Sequence, residues 1–291
     1  MSSISLVNPF SKRESHGRSS LIAYKAWTII TWLLVVVTGL YYCTHKPTEG
    51  KFKRRTIFGQ SKAHPSPFTL DTVFVSIYWI VLWILQVGYI WQLFSSTTEL
   101  VTSAANVGSH FILFNLLTFG HIMLWVRSHF WLAELLLVIN FFNLTSLYFR
   151  NPTCTRHIHI PVTTAPLAWT YMAIFWNGAV MVHAHDLPAR ILANVVIWGI
   201  LVFGGFFLVA YKDYMMGFEL SYLTAALGVN QFLTKAIALQ WIFAFAIMAA
   251  LFILTLAVAV PGIFGFKFGV ERGESRVVEE DRERQPLLDD R

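Results

Sequence analysis

The segment AIALQWIFAFAIMAALFILTLAVAV, residues 236–260, contains no charged residue over 25 positions. An α-helix rises about 1.5 Å per residue, so this segment is longer than the ~30 Å hydrocarbon core of a bilayer is thick. Earlier in the chain lie similar apolar segments, at about 21–42, 72–94, 105–126, 130–149, 162–182 and 188–211. The sequence therefore predicts an all-α fold, a polytopic transmembrane helical bundle.

The composition of the whole chain agrees with this fold class. Hydrophobic residues make up 56% of the 291 residues and charged residues only 13%, whereas a soluble domain carries about 25% charged residues. The net charge of +6 does not indicate a nucleic-acid partner, because basic residues of membrane proteins mark cytosolic loops and contacts with anionic headgroups. The expected partner is the lipid bilayer.

One segment, KDYMMGFELSYLTAALGVNQFLTK at 212–235, leaves the number of spans open. Its polar and small residues stand at 213, 217, 221, 224, 228, 231 and 235, which places them on one face of a helix. Such a face is typical of a helix that lies in the membrane interface. It is equally typical of a spanning helix that packs closely on a neighbour.

The distribution of basic residues favours seven spans, with eight as the alternative. With seven spans, 14 of the 22 lysine and arginine residues are cytosolic; with eight, 13 are. The larger difference is the loop after the first span, which faces the cytosol only in the seven-span arrangement. This loop carries Lys46, Lys51, Lys53, Arg54, Arg55 and Lys62.

Two polar tails flank the transmembrane domain, which we assign to 21–262. Residues 1–20 are predicted to be a disordered polar tail, and residues 263–291 a disordered, charged cytosolic tail. Glu283 with Leu287 and Leu288 forms the pattern E-x-x-x-L-L, typical of an acidic dileucine sorting signal. We therefore expect an adaptor complex as a partner and a vacuolar or late-endosomal membrane as the location, with the endoplasmic reticulum as the alternative.

Several stretches carry a family resemblance that spans nearly the whole chain. They are NPFSKRESHGRSS, VGSHFILFNLL, MLWVRSHFWLAELLLVINFFNL, WNGAVMVHAHDLPARI, VAYKDYMMGFELSYLTAALGV and EDRERQPLL. Together they resemble a fungal family of multi-pass membrane proteins, domain of unknown function 1774. The resemblance implies a fungal source and an integral membrane protein, and it implies no reaction, ligand or catalytic residue.

Histidines form the most notable polar pattern of the chain. His157 with His159 and His183 with His185 each form His-x-His, but the span at 162–182 separates the two pairs and excludes a shared site. A second grouping has its members near one face of the membrane, where they could hold a metal or relay protons. Its members are His121, His129, Glu134, His183, His185 and Asp186.

A purely structural role explains these residues as well. Asp186 before Leu187 and Pro188 is typical of a helix start, and Glu134 can pair with Arg127 near the surface. From this pattern we assign no metal ligand and no catalytic residue, and it does not identify a cofactor.

Two functions remain after these exclusions. The first is a non-enzymatic membrane protein that transports or senses a small solute, a lipid or protons, with His121 and Glu134 as the candidate relay. The alternative is a membrane-embedded, His-dependent enzyme, such as a lipid hydrolase or a metal-dependent enzyme. The first is favoured, because no nucleophile or complete ligand set can be named.

Overall fold

The computed structural model describes residues 9–49, 54–151, 155–182, 187–234 and 239–264. Their regular structure is helical throughout. The helices are α1 Arg18–Thr44, α2 Ile57–Ala63, α3 Thr72–Gln92, α4 Thr98–Trp125, α5 Phe130–Arg150, α6 Arg156–His159, α7 Ala165–Met181, α8 Leu187–Val196, α9 Trp198–Ala210, α10 Tyr214–Thr234 and α11 Gln240–Phe264. A π-helical segment, Ile160–Thr164, joins α6 to α7.

Six helices are long and apolar enough to cross a membrane. They are Arg18–Thr44, Thr72–Gln92, Thr98–Trp125, Phe130–Arg150, Pro188–Ala210 and Gln240–Val260. Large apolar side chains on these helices face outward, among them Ile84, Phe142 and Val202 with 65%, 65% and 73% of their surface exposed. Lipid is the environment in which such an apolar surface is stable, and the all-α polytopic bundle is confirmed.

The helix formed by α6, the π segment and α7 lies at the centre of the bundle. Every residue from Pro161 to Thr170 is buried, and this helix contacts α3, α5 and α10. A helix that is apolar on all sides needs such surroundings.

Local sequence explains where several helices begin. The Asp71 side chain accepts hydrogen bonds from the backbone N–H groups of Val73 and Phe74, at 2.9 and 3.2 Å, and thus caps α3. The tight turn before α5 contains Ser128, which has a φ of 62°. That left-handed residue reverses the chain between α4 and α5.

Most of the segment that left the number of spans undecided forms α10, Tyr214–Thr234. Its face of small residues is buried in the bundle. Gly217, Ser221, Thr224, Gly228 and Gln231 are all buried. This arrangement is that of a packing face, because a helix lying in the interface would expose its polar residues to water.

The face of α10 packs on α11, and the two helices are antiparallel. The Ser221 hydroxyl donates to the Met248 carbonyl at 3.1 Å, while the Phe232 and Trp241 rings lie 5.4 Å apart. Residues that come later in α10 thus contact residues that come earlier in α11. The helix therefore runs the full length of its neighbour, and the packing agrees with the alternative of eight crossings rather than the favoured seven.

Successive long helices alternate in direction, which defines two ends of the bundle. The tail end contains residues 9–17, 151 and 155, the loops at 93–97 and 211–213, and the last turns of α11. The basic-loop end contains residues 45–49 and 54–71 and the turn at 126–129. The first helix begins and the last helix ends at the tail end.

Part of the N-terminal tail, residues 9–17, makes hydrogen bonds with the bundle. Asn106 of α4 accepts a hydrogen bond from the Arg13 backbone N–H and donates one to its carbonyl, each at 3.0 Å. The Pro9 carbonyl accepts from the Ser109 hydroxyl at 2.7 Å. Residues 1–8 and 265–291 lie outside the described ranges.

Candidate functional site

A largely apolar cavity lies toward the basic-loop end, between α1, α3, α4 and α7. Its volume is about 260 Å³. Indole rings form much of its wall. They belong to Trp79, Trp83, Trp125, Trp169 and Trp176.

These rings form a continuous aromatic surface from α3 to α4. Trp79 meets Trp169 edge to face at 5.2 Å, Trp169 meets Trp176 at 6.4 Å, and Trp176 meets Trp125 at 5.7 Å. Edge-to-face contacts at these distances are favourable for aromatic pairs. The cavity is thereby rigid and apolar.

The cavity also reaches the membrane-facing surface. Leu40 of α1 and Ile80 of α3 line it, and 55% and 51% of their surfaces are exposed. Gly39 allows α1 to approach α3 closely, since a Cβ there would lie 3.2 Å from the Trp83 ring. A molecule dissolved in the bilayer could therefore enter sideways between α1 and α3.

One wall of the cavity is polar, and two of its atoms lack partners. Trp176 and Asn177 line the cavity. The Trp176 Nε1 and Asn177 Oδ1 atoms are buried without a hydrogen-bond partner among the described residues. One is a donor and the other an acceptor. A buried polar group without a partner costs about 1–3 kcal/mol, so this wall is suited to a ligand that supplies both bonds.

The Asn177 amide connects this wall to Glu134. Its Nδ2 donates to Glu134 Oε2 at 2.7 Å and to the Phe130 carbonyl at 2.9 Å. The expected partner of Glu134, Arg127, donates instead to the Met123 carbonyl at 3.0 Å. Glu134 thus fixes the orientation of Asn177, whose Oδ1 atom has no hydrogen-bond partner among the described residues.

His121 lines the same cavity from α4. Its Nδ1 lies 3.5 Å from the Ala133 carbonyl, and its ring stacks on Trp125 at 6.2 Å. The predicted relay pair, His121 and Glu134, is thus brought to one junction of α4, α5 and α7. No direct hydrogen bond joins the two among the described contacts.

Of the other candidate residues, the described one, His129, does not line this cavity. His129 is exposed just before α5, where its backbone N–H donates to the Leu124 carbonyl at 3.0 Å. His183, His185 and Asp186 lie outside the described residues, as do Glu283, Leu287 and Leu288 of the tail. Within the described ranges, no three His, Cys, Asp or Glu side chains converge on a metal position.

At the tail end, a polar cluster joins three helices that the sequence had not linked. Asp213 Oδ2 lies 3.0 Å from His159 Nε2 and accepts a hydrogen bond from the Tyr148 hydroxyl at 2.9 Å. Burial raises the pKa of Asp213, but the hydrogen bonds and charge from its partners outweigh this and leave the pKa below its ordinary value. We name Tyr148, His159 and Asp213 the tail-end clamp.

Tryptophan residues near the helix ends lie in two different environments. Trp91 and Trp131 expose 77% and 70% of their surfaces, as anchors at the membrane interface do, whereas Trp125 is 5% exposed. The Trp125 indole N–H donates to the Ile57 carbonyl at 3.2 Å. The cavity residues on α3 and α7 were missed because indoles on separate helices form no pattern along the chain.

Intramembrane amides make interhelical hydrogen bonds, as expected. Gln86 accepts from the Trp32 indole at 3.1 Å and donates to the Pro161 carbonyl at 3.2 Å. Asn143 lies 2.8 Å from His110 Nδ1. These bonds fix the helix positions around the cavity.

Comparison with known proteins gives a family match over part of the chain and no activity. No curated protein and no solved structure matches the chain. The matched part of the chain begins in α8 and extends through α10 and α11 into the C-terminal tail. Residues 190–288 match the family described as fungal protein of unknown function (DUF1774), which confirms the resemblance over this part of the chain.

Proposed function

We propose that this integral membrane protein binds an uncharged, hydroxyl-bearing lipid in the tryptophan-lined cavity, and that it transports or senses this lipid in an endomembrane. The observation that carries the proposal is the pair of unpartnered atoms, Trp176 Nε1 and Asn177 Oδ1, in an otherwise apolar cavity. A hydroxyl group accepts from the indole N–H and donates to the amide oxygen at the same time.

The shape of the site supports a lipid rather than a water-soluble solute. Ligand pockets of proteins usually measure about 300–1,000 Å³, and this cavity of about 260 Å³ is smaller. It therefore holds one end of a lipid. The remainder would lie in the opening beside Leu40 and Ile80, where it stays in contact with the bilayer.

Proton relay and enzyme chemistry have less support from the described residues. His121 lines the cavity, but Glu134 is bonded to Asn177, which makes it a positioning residue. No observation in the described ranges specifically supports the hypothesis of a His-dependent enzyme. We therefore favour binding and transport or sensing over catalysis.

A vacuolar or late-endosomal membrane remains the proposed location. The support is the E-x-x-x-L-L pattern of Glu283, Leu287 and Leu288, with an adaptor complex as the proposed partner. If all eight long helices cross the membrane, both tails lie on one side. That side carries 13 of the 22 lysine and arginine residues, which favours the cytosol, where adaptors act.

The binding proposal is tested with a photoreactive sterol that carries a diazirine and a free hydroxyl group. The purified protein in lipid nanodiscs is irradiated with this probe, and labelled peptides are identified by mass spectrometry. We expect saturable labelling within α1, α3, α4 or α7. Unlabelled sterol should compete about tenfold better than its methyl ether, which cannot donate a hydrogen bond. Equal competition by the two compounds, or labelling that does not saturate, contradicts the proposal.

A further inference from the structure

A second cavity, of about 510 Å³, lies between α3, the π segment, α10 and α11. It extends from Ile160 and Met215 near the tail end to Ala225 and Met248 deeper in the bundle. We name it the Glu219 groove, because Glu219 is the one charged residue among the described residues that line it.

The groove is open to the bilayer along α3. Ile77, Val81 and Leu85 line it on successive turns and expose 49%, 48% and 41% of their surfaces. Phe252 of α11 stands on the opposite rim with 43% exposed. The entry is therefore apolar, and a molecule with a hydrocarbon chain can reach the groove from the membrane.

Glu219 lacks a partner inside this apolar groove. Its Oε2 atom is buried and has no hydrogen-bond partner among the described residues. A carboxylate in the hydrocarbon region is costly unless a cation or a hydrogen-bond donor compensates it. A ligand is the natural source of that compensation.

The neighbouring hydroxyl groups do not supply it, because each already donates to a backbone carbonyl. Tyr78 donates to Ala165 at 2.7 Å, Ser221 to Met248 at 3.1 Å, and Tyr222 to Phe74 at 3.0 Å. These bonds hold the walls of the groove in place. The donor that satisfies Glu219 has to come from outside the wall.

We propose that the Glu219 groove binds an amphiphile that carries a protonated amine on a long hydrocarbon chain. The ammonium group has three donors for the Glu219 carboxylate, and the chain replaces lipid against Phe218, Phe252 and the α3 side chains. This site is separate from the tryptophan-lined cavity and selects the opposite property, a positive charge instead of a neutral hydroxyl group.

A smaller polar cavity lies next to the groove at the tail end. Ile160 and Met215 line both the groove and this smaller cavity of about 220 Å³. Asp213 lies in that smaller cavity but is bonded to His159 and Tyr148. Glu219 is thus the carboxylate left for an incoming amine.

The test uses a diazirine-bearing long-chain alkyl amine as the probe, with the full-length protein in nanodiscs. Competition by the unlabelled amine is compared with competition by the long-chain alcohol and by the N-acetylated amine, which has no charge. We expect the amine to compete at least tenfold better than either, since hydrogen bonds to charged groups contribute about 1.5–3 kcal/mol, and labelled peptides to lie in α3, α10 or α11.

Three variants separate this site from the other cavity. Glu219→Gln removes the charge at constant size and should weaken amine binding about tenfold or more. Glu99→Gln on the exposed first turn of α4 should leave it unchanged. Trp176→Phe, which tests the sterol cavity, should also leave amine binding unchanged.

Two results overturn the proposal. The first is that the alcohol or the N-acetylated amine competes as strongly as the amine. This comparison uses the wild-type protein and requires no variant. The second is an unchanged amine affinity in Glu219→Gln. Either result leaves the sterol experiment unaffected, so the two proposals fail independently.

Discussion

The side chains of His159 and Asp213 lie 3.0 Å apart, measured from Nε2 to Oδ2, and they join the start of the central helix to the start of α10. Tyr148 of α5 donates to the same oxygen at 2.9 Å. The other carboxylate oxygen accepts from the backbone N–H groups of Met215 and Met216, at 3.1 and 3.2 Å. One carboxylate therefore caps α10 and ties it to two other helices.

We expect Asp213→Asn to lower the free energy of unfolding by about 1.5–3 kcal/mol, because the charged hydrogen bonds are lost while the cap acceptor stays. Asp213→Ala should cost about 1 kcal/mol more, since it also removes the cap. Thermal unfolding in detergent measures both. Equal stability of the wild type and Asp213→Asn contradicts the clamp.

The same carboxylate predicts a pH dependence. Its pKa in the folded protein is lowered relative to an unfolded value of about 3.9. A group of this kind stabilises the fold above its unfolded pKa, and the contribution is lost as the pH falls toward the folded value. The stability difference between the wild type and Asp213→Asn should therefore be constant near neutral pH and shrink below about pH 4. A difference that grows in acid contradicts the assignment.

Close packing of α10 on its neighbours predicts a cost for a single methyl group at Gly217. A Cβ there would collide with Thr255 Oγ1 and lie 2.8 Å from Leu208 Cδ2. Gly217→Ala should therefore lower stability by about 1–3 kcal/mol through overpacking. Gly205→Ala is the matched control, because nothing lies within 4 Å of its Cβ position; it should be neutral or stabilising. Equal melting temperatures for the two variants contradict the packing of α10.

The sequence predicts spans well where apolar residues are continuous. The predicted segments 72–94 and 130–149 correspond to Thr72–Gln92 and Phe130–Arg150. It misses the first turns of α4, which begins at Thr98 instead of about 105. Most residues at 98–106 are polar or small, and the position of this stretch depends on contacts such as that between Asn106 and Arg13, which hydropathy does not detect.

The role of α10 could not be decided from its own residues. Glycine, serine and threonine on one face suit both a wet surface and close packing. The antiparallel partner α11 determines which applies, since Met248 accepts from Ser221. Likewise, Glu219 becomes notable only once its apolar surroundings are known.

The proposed lipid site predicts a selective loss in Trp176→Phe. This change keeps an aromatic ring but removes the Nε1 donor, which is buried and has no partner among the described residues. Sterol affinity should fall about tenfold, and affinity for the methyl ether should fall by a similar factor, because its ether oxygen also accepts from the indole N–H. Trp91→Phe, at a position with 77% of its surface exposed, should leave sterol binding unchanged. An unchanged sterol affinity in Trp176→Phe excludes the contact with the indole N–H.

The tail pattern predicts a change in location. An N-terminal fluorescent fusion should mark the vacuole or late endosome, and Leu287→Ala with Leu288→Ala should move it elsewhere, because the leucine pair is the part that an adaptor pocket would bury. Glu279→Ala, outside the pattern, is the control. Retention of both the wild type and the double variant in the endoplasmic reticulum contradicts the sorting proposal.

The path of α10 predicts which side of the membrane each of its ends faces. Lys212 before α10 and Leu239 after it are both exposed. Lys212→Cys and Leu239→Cys, each combined with Cys43→Ser and Cys154→Ser, are treated with a membrane-impermeant maleimide in sealed vesicles. If α10 crosses the membrane, one cysteine is labelled from outside and the other only after the vesicles are opened.

Two reference positions make this experiment decisive. Thr97 in the loop at the tail end and Thr48 at the basic-loop end are exposed. Eight crossings require Lys212→Cys to behave like Thr97→Cys, and Leu239→Cys like Thr48→Cys. Labelling of Lys212→Cys and Leu239→Cys from the same side means that α10 does not cross. The seven-span arrangement then holds, and the two tails lie on opposite sides of the membrane.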